Sequence, residues 1–202
     1  MYIIIENGIF IGFSLKEEHN YQNIKITEEE HKNFLERQGQ GLTLFWNNAK
    51  KELEAKKLGQ FECINENGEI IKEIQKIIEN LKSQIATGKE KIIENGFEIK
   101  INEKTLIQKC REKDKTNILG TLQLMESTGQ KTIDWKFIDK NNNDAMEQVT
   151  KEQLNNMLIQ GAVLTSKAIH VEQQLFVRLE SLNNTELLNF DVSNEFNKLM
   201  GG

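Results

Sequence analysis

The chain has 202 residues, 38% hydrophobic and 28% charged, which excludes a disordered chain and supplies one large or two small cores. Proline is absent, so cis-proline turns, rigid proline linkers and proline-ended helices are excluded as well. The formal charge of −5 is spread along the chain with no basic stripe, which argues against nonspecific binding along a nucleic-acid backbone.

No stretch approaches the roughly 18 consecutive apolar residues of a membrane span. The opening MYIIIENGIF has neither a basic n-region nor a cleavage site, so a soluble cytosolic protein is expected. Cys63 and Cys110 lie far apart in sequence and read as reduced, packed thiols.

In chain order, Asn7-Gly8 stands between two apolar runs and predicts a β-hairpin over residues 2 to 13, because both residues accept the positive φ of a type I′ turn. Thr27 and Glu30 form a capping box, and three successive acids sit at the positive end of a helix dipole, so a helix runs from there to Gly39. Leu42 to Trp46 follows as a short strand, closing a ββαβ unit over residues 1–48. Residues 49–93 read as a helical connector. It holds a short charged helix from Ala49 to Leu58, a strand from Phe61 to Ile64, and the turn Asn65-Glu66-Asn67-Gly68. A second helix then carries Ile71, Ile74, Ile78, Leu81, Ile85 and Ile92 at a and d spacing. Gly88 occupies one d position and is expected to break or bend that helix.

Residues 94–202 form the third segment. Phe97, Ile99 and Ile101 alternate with charged residues, and Asn102-Glu103 turns the chain into a second hairpin. Glu112 to Ser127 reads as a helix with Ile118, Leu119, Leu122 and Met125 on one face, ended by Gly129. Ile133, Trp135 and Phe137 mark a half-buried strand, followed by a polar loop. Thr150 and Gln153 then form a capping box, with Val149 placed to staple onto Leu154. From Lys151, Leu154, Met157, Gly161, Leu164, Ala168, Val171, Leu175 and Leu182 recur at spacings of three and four, and no turn signal appears before Asn183. At roughly 1.5 Å per residue this is a rod on the order of 48 Å long. A turn from Thr185 to Asn189, a last helix capped by Ser193 and a frayed Gly201-Gly202 end complete the chain. The fold class is therefore α+β: two small hairpin–helix–strand units joined by a helix, with one long C-terminal helix.

No chemistry rises from the motifs. Asp139, Asn141 and Asn143 match the first ligands of a calcium loop, but Asp144 stands where glycine is needed and Thr150 where a bidentate acid is needed. His19, His31 and His170 lie on separate elements without metal-ligand spacing. Gly39-Gln40-Gly41 follows a helix and precedes a strand, the reverse of a phosphate-cradling loop. The expectation is a protein with no catalytic residues, no metal and no cofactor. The anomaly is on the long helix, where Ile159, Val163, Ile169, His170, Phe176 and Val177 lie off the main seam and make a second, patchier stripe. A helix apolar on more than one side is buried on more than one side or presents a surface to a partner.

The second half, from GFEIKINEKTLIQKCREKD through IDWKFIDKNNND to VTKEQLNNMLIQGAVLTSKAIHVEQQLFVRL, resembles a family of phage and prophage tail-fibre-associated proteins with a C-terminal domain of unknown function. The opening hairpin and ITEEEHKNFLERQGQG resemble a tail-fibre-assembly N-terminus. The resemblance implies a non-enzymatic protein that works through contacts with phage tail proteins, in the bacterial cytoplasm or on the virion tail, with self-association through long helices as one mode. The competing expectation is a prophage-encoded anti-defence inhibitor, of the anti-CRISPR kind, that binds and blocks an RNA-guided nuclease.

Overall fold

The computed structural model of the chain describes residues 1–65 and 67–201. The predicted turn at Asn65–Gly68 therefore includes one residue, Glu66, outside the described set, and Gly202 is outside it too. The fold is α+β, with small antiparallel sheets, intervening helices and a long helix near the C-terminus. It divides into two compact units, Met1–Ile77 and Ile78–Gly202. The segments 1–48, 49–93 and 94–202 follow sequence pattern, whereas these two units follow contacts within the fold.

In the first unit, β1 (Tyr2–Glu6) and β2 (Ile9–Ser14) form the expected hairpin, with Asn7 at φ 50° and Gly8 at φ 81°. The Asn48 side-chain amide donates to the Gly8 carbonyl at 3.0 Å and ties the turn to the end of β4 (Thr43–Asn47). β3 (Gln22–Lys25), a short polar strand between that hairpin and the Thr27 cap, pairs with the other edge of β1. The Thr27 hydroxyl accepts from the Glu30 amide while the Glu30 carboxylate accepts from the Thr27 amide, so α1 (Glu28–Gly39) starts at its capping box. Ile3, Ile5, Leu44, Trp46 and Leu53 make the core, with Phe13 and Phe34 packed on it.

The charged helix expected from Ala49 to Leu58 is a strand. β5 (Glu52–Lys56) pairs with β4 from Asn47↔Glu52 to Thr43↔Lys56. The Asn47 side-chain carbonyl accepts from the amides of Ala49 and Lys50, making a tight turn, and Lys51 takes a positive φ. Glu54 accepts from both Asn47 and Lys50, which holds its carboxyl below the ordinary carboxylate range, and Leu53 goes inward. Helix-forming residues here follow their cross-strand partners, because β propensity is set by what the strand packs against. β6 (Glu62–Ile64) then pairs with β7 (Ile70–Lys72), so Ile71 lies on a strand and not on the following helix.

That helix, α2, runs unbroken from Ile74 to Asn95. Gly88 does not break it; a side-chain carbon there would lie 3.3 Å from the ring of Phe196, so the glycine makes room for an aromatic neighbour. β8 (Phe97–Ile101) and β9 (Lys104–Gln108) form the second hairpin, turning at Asn102 and Glu103, both at positive φ. α3 (Glu112–Thr128) ends at left-handed Gly129 as expected. Its buried side holds Ile118 and Met125, but Leu119 points away.

β10 (Thr132–Ile138) is followed by a strand where a polar loop was expected. β11 (Asp144–Thr150) pairs with all of β10. Its alternation is masked because Met146 faces outward while Glu147 faces the side of Ala145 and Val149; Lys104 and Asn102 donate to the Glu147 carboxylate. The sheet order is β11-β10-β9-β8.

α4 (Lys151–Ser181) starts at its reciprocal Thr150–Gln153 cap, and Val149 and Leu154 share the core beneath it. Leu154, Met157, Ala168, Val171, Leu175 and Leu179 are buried almost completely. α5 (Asn184–Leu188) and α6 (Val192–Met200) close the chain, α6 packing on α4. Asp191, not Ser193, caps α6.

Gly96, between α2 and β8, sits at φ 75°, and a side-chain carbon there would fall 2.0 Å from the Gln108 carbonyl oxygen. Gly96→Ala is therefore expected to cost more than about 3 kcal/mol in chemical denaturation.

Candidate functional site

At 100° per residue, Ile159, Val163, His170 and Val177 fall within about 40° of one another on α4, and roughly opposite Ala168 at the centre of its buried face. All four are exposed; Ile159 and Val163 are each 63% accessible and Val177 is 68%. Ser166 and Gln173 fill the gaps between them, both exposed. This is a seam of β-branched and polar side chains on the outside of the helix.

The remaining two residues of the sequence-derived set do not join it. Ile169 and Phe176 are turned by about 80–100° from the seam. Ile169 is exposed, whereas Phe176 is half-buried with the Lys82 ammonium of α2 5.9 Å from its ring centroid. Phe176 thus sits on the flank of α4 that faces α2. The same flank holds Glu172, 7% accessible, whose carboxylate receives Lys89 at 3.1 Å. That hydrogen bond raises the Lys89 pKa, and it keeps a buried charge paired, as the low-dielectric interior requires.

A second feature has no counterpart in the sequence reading. A cleft of about 880 Å³ opens between α3 and β10. Arg111, Asn117, Gly120 and Leu124 line one side; Trp135, Lys136 and Met146 line the other. Arg111 forks onto Asp114 at 2.8 and 3.1 Å, and Lys136 pairs with Asp144. The Trp135 indole donates to Gln108 at 2.9 Å at the root of the cleft. Gly120 lies in the middle of α3, and a side-chain carbon there would meet nothing within 4 Å. Among the described residues, no packing calls for a glycine at that position.

Other groups that could carry chemistry are engaged structurally. The Asp139 carboxylate accepts from the amides of Asn141 and Asn143, both at 2.8 Å, and the Asn143 bonds hold its pKa down. Among the described residues, no three His, Cys, Asp or Glu side chains are grouped to hold a metal ion. Both cysteines are free; Cys110 is buried against Gly161, and burial pushes its thiol up to about 11, which makes it a poor nucleophile. The Trp46 indole N–H is buried with no hydrogen-bond partner among the described groups, a desolvation cost of about 1–3 kcal/mol. No helix among the described residues is long and apolar enough to cross a membrane.

Comparison with protein-family models, curated proteins and solved structures returns no match for this chain.

Gly120→Ala should raise the unfolding free energy by roughly 0.5–1 kcal/mol, since a helix-interior glycine without a packing role pays entropy for nothing. Denaturant titration of the two proteins measures it.

Proposed function

We propose that this chain is a non-enzymatic, phage- or prophage-encoded protein-binding protein, associated with the tail fibre or with tail assembly, which engages its partner through the outer seam of α4. The observation that carries the binding surface is the exposure of Ile159, Val163 and Val177 on the side of α4 opposite its buried face. β-Branched side chains in one row on a rigid, capped helix give a partner area at small entropic cost, because their χ1 angles are already restricted. The spacing of Val163, His170 and Val177 is seven residues, so a partner helix would meet them in one seam, with Ile159 one turn before. The phage setting rests on the resemblance of the two halves to phage and prophage tail-fibre-associated proteins.

The test is affinity capture of the tagged full chain from a lysogen that encodes it, wild type against the double variant Val163→Glu/Val177→Glu. Both positions are exposed, so the variant should match the wild-type unfolding midpoint to within about 0.5 kcal/mol of stability. Fibre or baseplate proteins recovered with the wild type and lost with the variant support the proposal. Equal recovery by both proteins overturns the seam, and recovery of an RNA-guided nuclease in place of tail proteins replaces the tail role with that of an anti-defence inhibitor.

A further inference from the structure

The cleft beside α3 is lined by Asp134, Trp135, Lys136, Phe137 and Ile138 in unbroken succession. A strand offering one face would contribute every second residue, so β10 meets the cleft with its edge. That edge is open. β10 pairs with β11 along its whole length but with β9 only at Ile138↔Ile107. The Asp139 amide bonds the Asn143 carbonyl, and counting back from it through the alternation of an antiparallel ladder assigns residues 133, 135 and 137 to β11. The N–H and C=O groups of Asp134 and Lys136 then point into the cleft, and no backbone bond within the described fold reaches them.

We propose that this cleft accepts an extended segment of a partner protein, which adds as a strand antiparallel to β10. Main-chain groups supply the affinity in such an addition and flanking side chains the specificity. Gly120 leaves the helix wall bare where the added backbone passes, and Leu124 and Met146, both about half exposed, receive its apolar side chains.

Charge fixes the occupant further. Arg111 and Lys136 are already paired, but Lys109, Lys113 and Asp134 have no carboxylate or ammonium partner within ion-pair distance among the described residues. Lys109 follows the Ile107–Ile138 pair by two residues, which by the antiparallel count brings it level with Lys136, and Lys113 opens α3 just after it. Asp134 is two residues farther back along β10, about 7 Å away. An antiparallel strand that matches these charges carries an acidic residue first and a basic residue two positions later, with a β-branched residue between.

The probe is the peptide acetyl-TVEVKVT-amide, set against its charge-swapped form acetyl-TVKVEVT-amide, each titrated into the full chain with amide hydrogen exchange and chemical shifts read by NMR. Expected are slowed exchange at Asp134 and Lys136, an affinity about fivefold better for the first peptide, and loss of binding in Gly120→Leu, whose side chain enters open space and leaves the fold intact. In Lys113→Glu the preference between the peptides should shrink or reverse. Equal affinity for the two peptides, no protection at millimolar peptide, or shifts confined to Ile159 and Val163 overturns the proposal. Protection of the same amides by raising protein concentration alone also overturns it, since the occupant is then a second copy of the chain.

Discussion

The buried face of α4 is the constraint on which the second unit depends. A helix of 31 residues can keep one stripe facing a core only if its apolar side chains hold their angular position over the whole length, and Leu154 through Leu179 do so at spacings of three and four. The sheet hairpins lie against its first turns through Val149, Leu154 and Met157, with Ile118 and Met125 of α3 in the same core. Small residues set the distance of closest approach at two further points: Gly161 admits Cys110, and Gly88 of α2 admits the ring of Phe196 on α6. Register along α4 is pinned at its start by the reciprocal Thr150–Gln153 cap. Lys167 bonding the Met200 carbonyl and Arg178 pairing with Glu195 fasten α6 farther along.

Local signals of this kind were legible from the residues because each satisfies its own backbone groups without help from afar. The Asn7-Gly8 turn, the Thr27–Glu30 and Thr150–Gln153 boxes and the Gly129 stop all stand where their chemistry puts them. Elements that depend on a distant strand were not legible. β5 is built of Glu, Leu, Ala and Lys, which favour a helix in isolation, and it becomes a strand because β4 offers it a ladder. β11 hides its period because the inward Glu147 is satisfied by Lys104, a residue far back in the sequence. β3 is short and polar, and only the free edge of β1 gives it a partner.

The surface of α4 shows the same limit. Periodicity distinguishes the buried stripe from everything else, but it does not say which of the remaining faces a neighbour covers. Ile159, Val163, His170 and Val177 share an open face, while Phe176 shares its side of the helix with Lys82 and the paired Lys89–Glu172 charges. The cleft beside β10 was beyond reach for a related reason: a strand edge is open or closed according to how far its neighbour runs, and β9 turns away into α3 after one residue pair. In both places the unit leaves groups that a second chain can complete, apolar side chains in one case and main-chain amides and carbonyls in the other.

The most direct measurement is site-specific photo-cross-linking in a lysogen that expresses the full chain, with a photoreactive residue placed at Val163 on the outer face of α4 and, as the comparison, at exposed Ser127 on α3. Cross-links from position 163 to a phage tail or fibre protein, well above those from position 127, are the expected result. Equal and indiscriminate labelling from the two positions would show that the outer face of α4 meets no dedicated partner and would contradict its role as the contact surface.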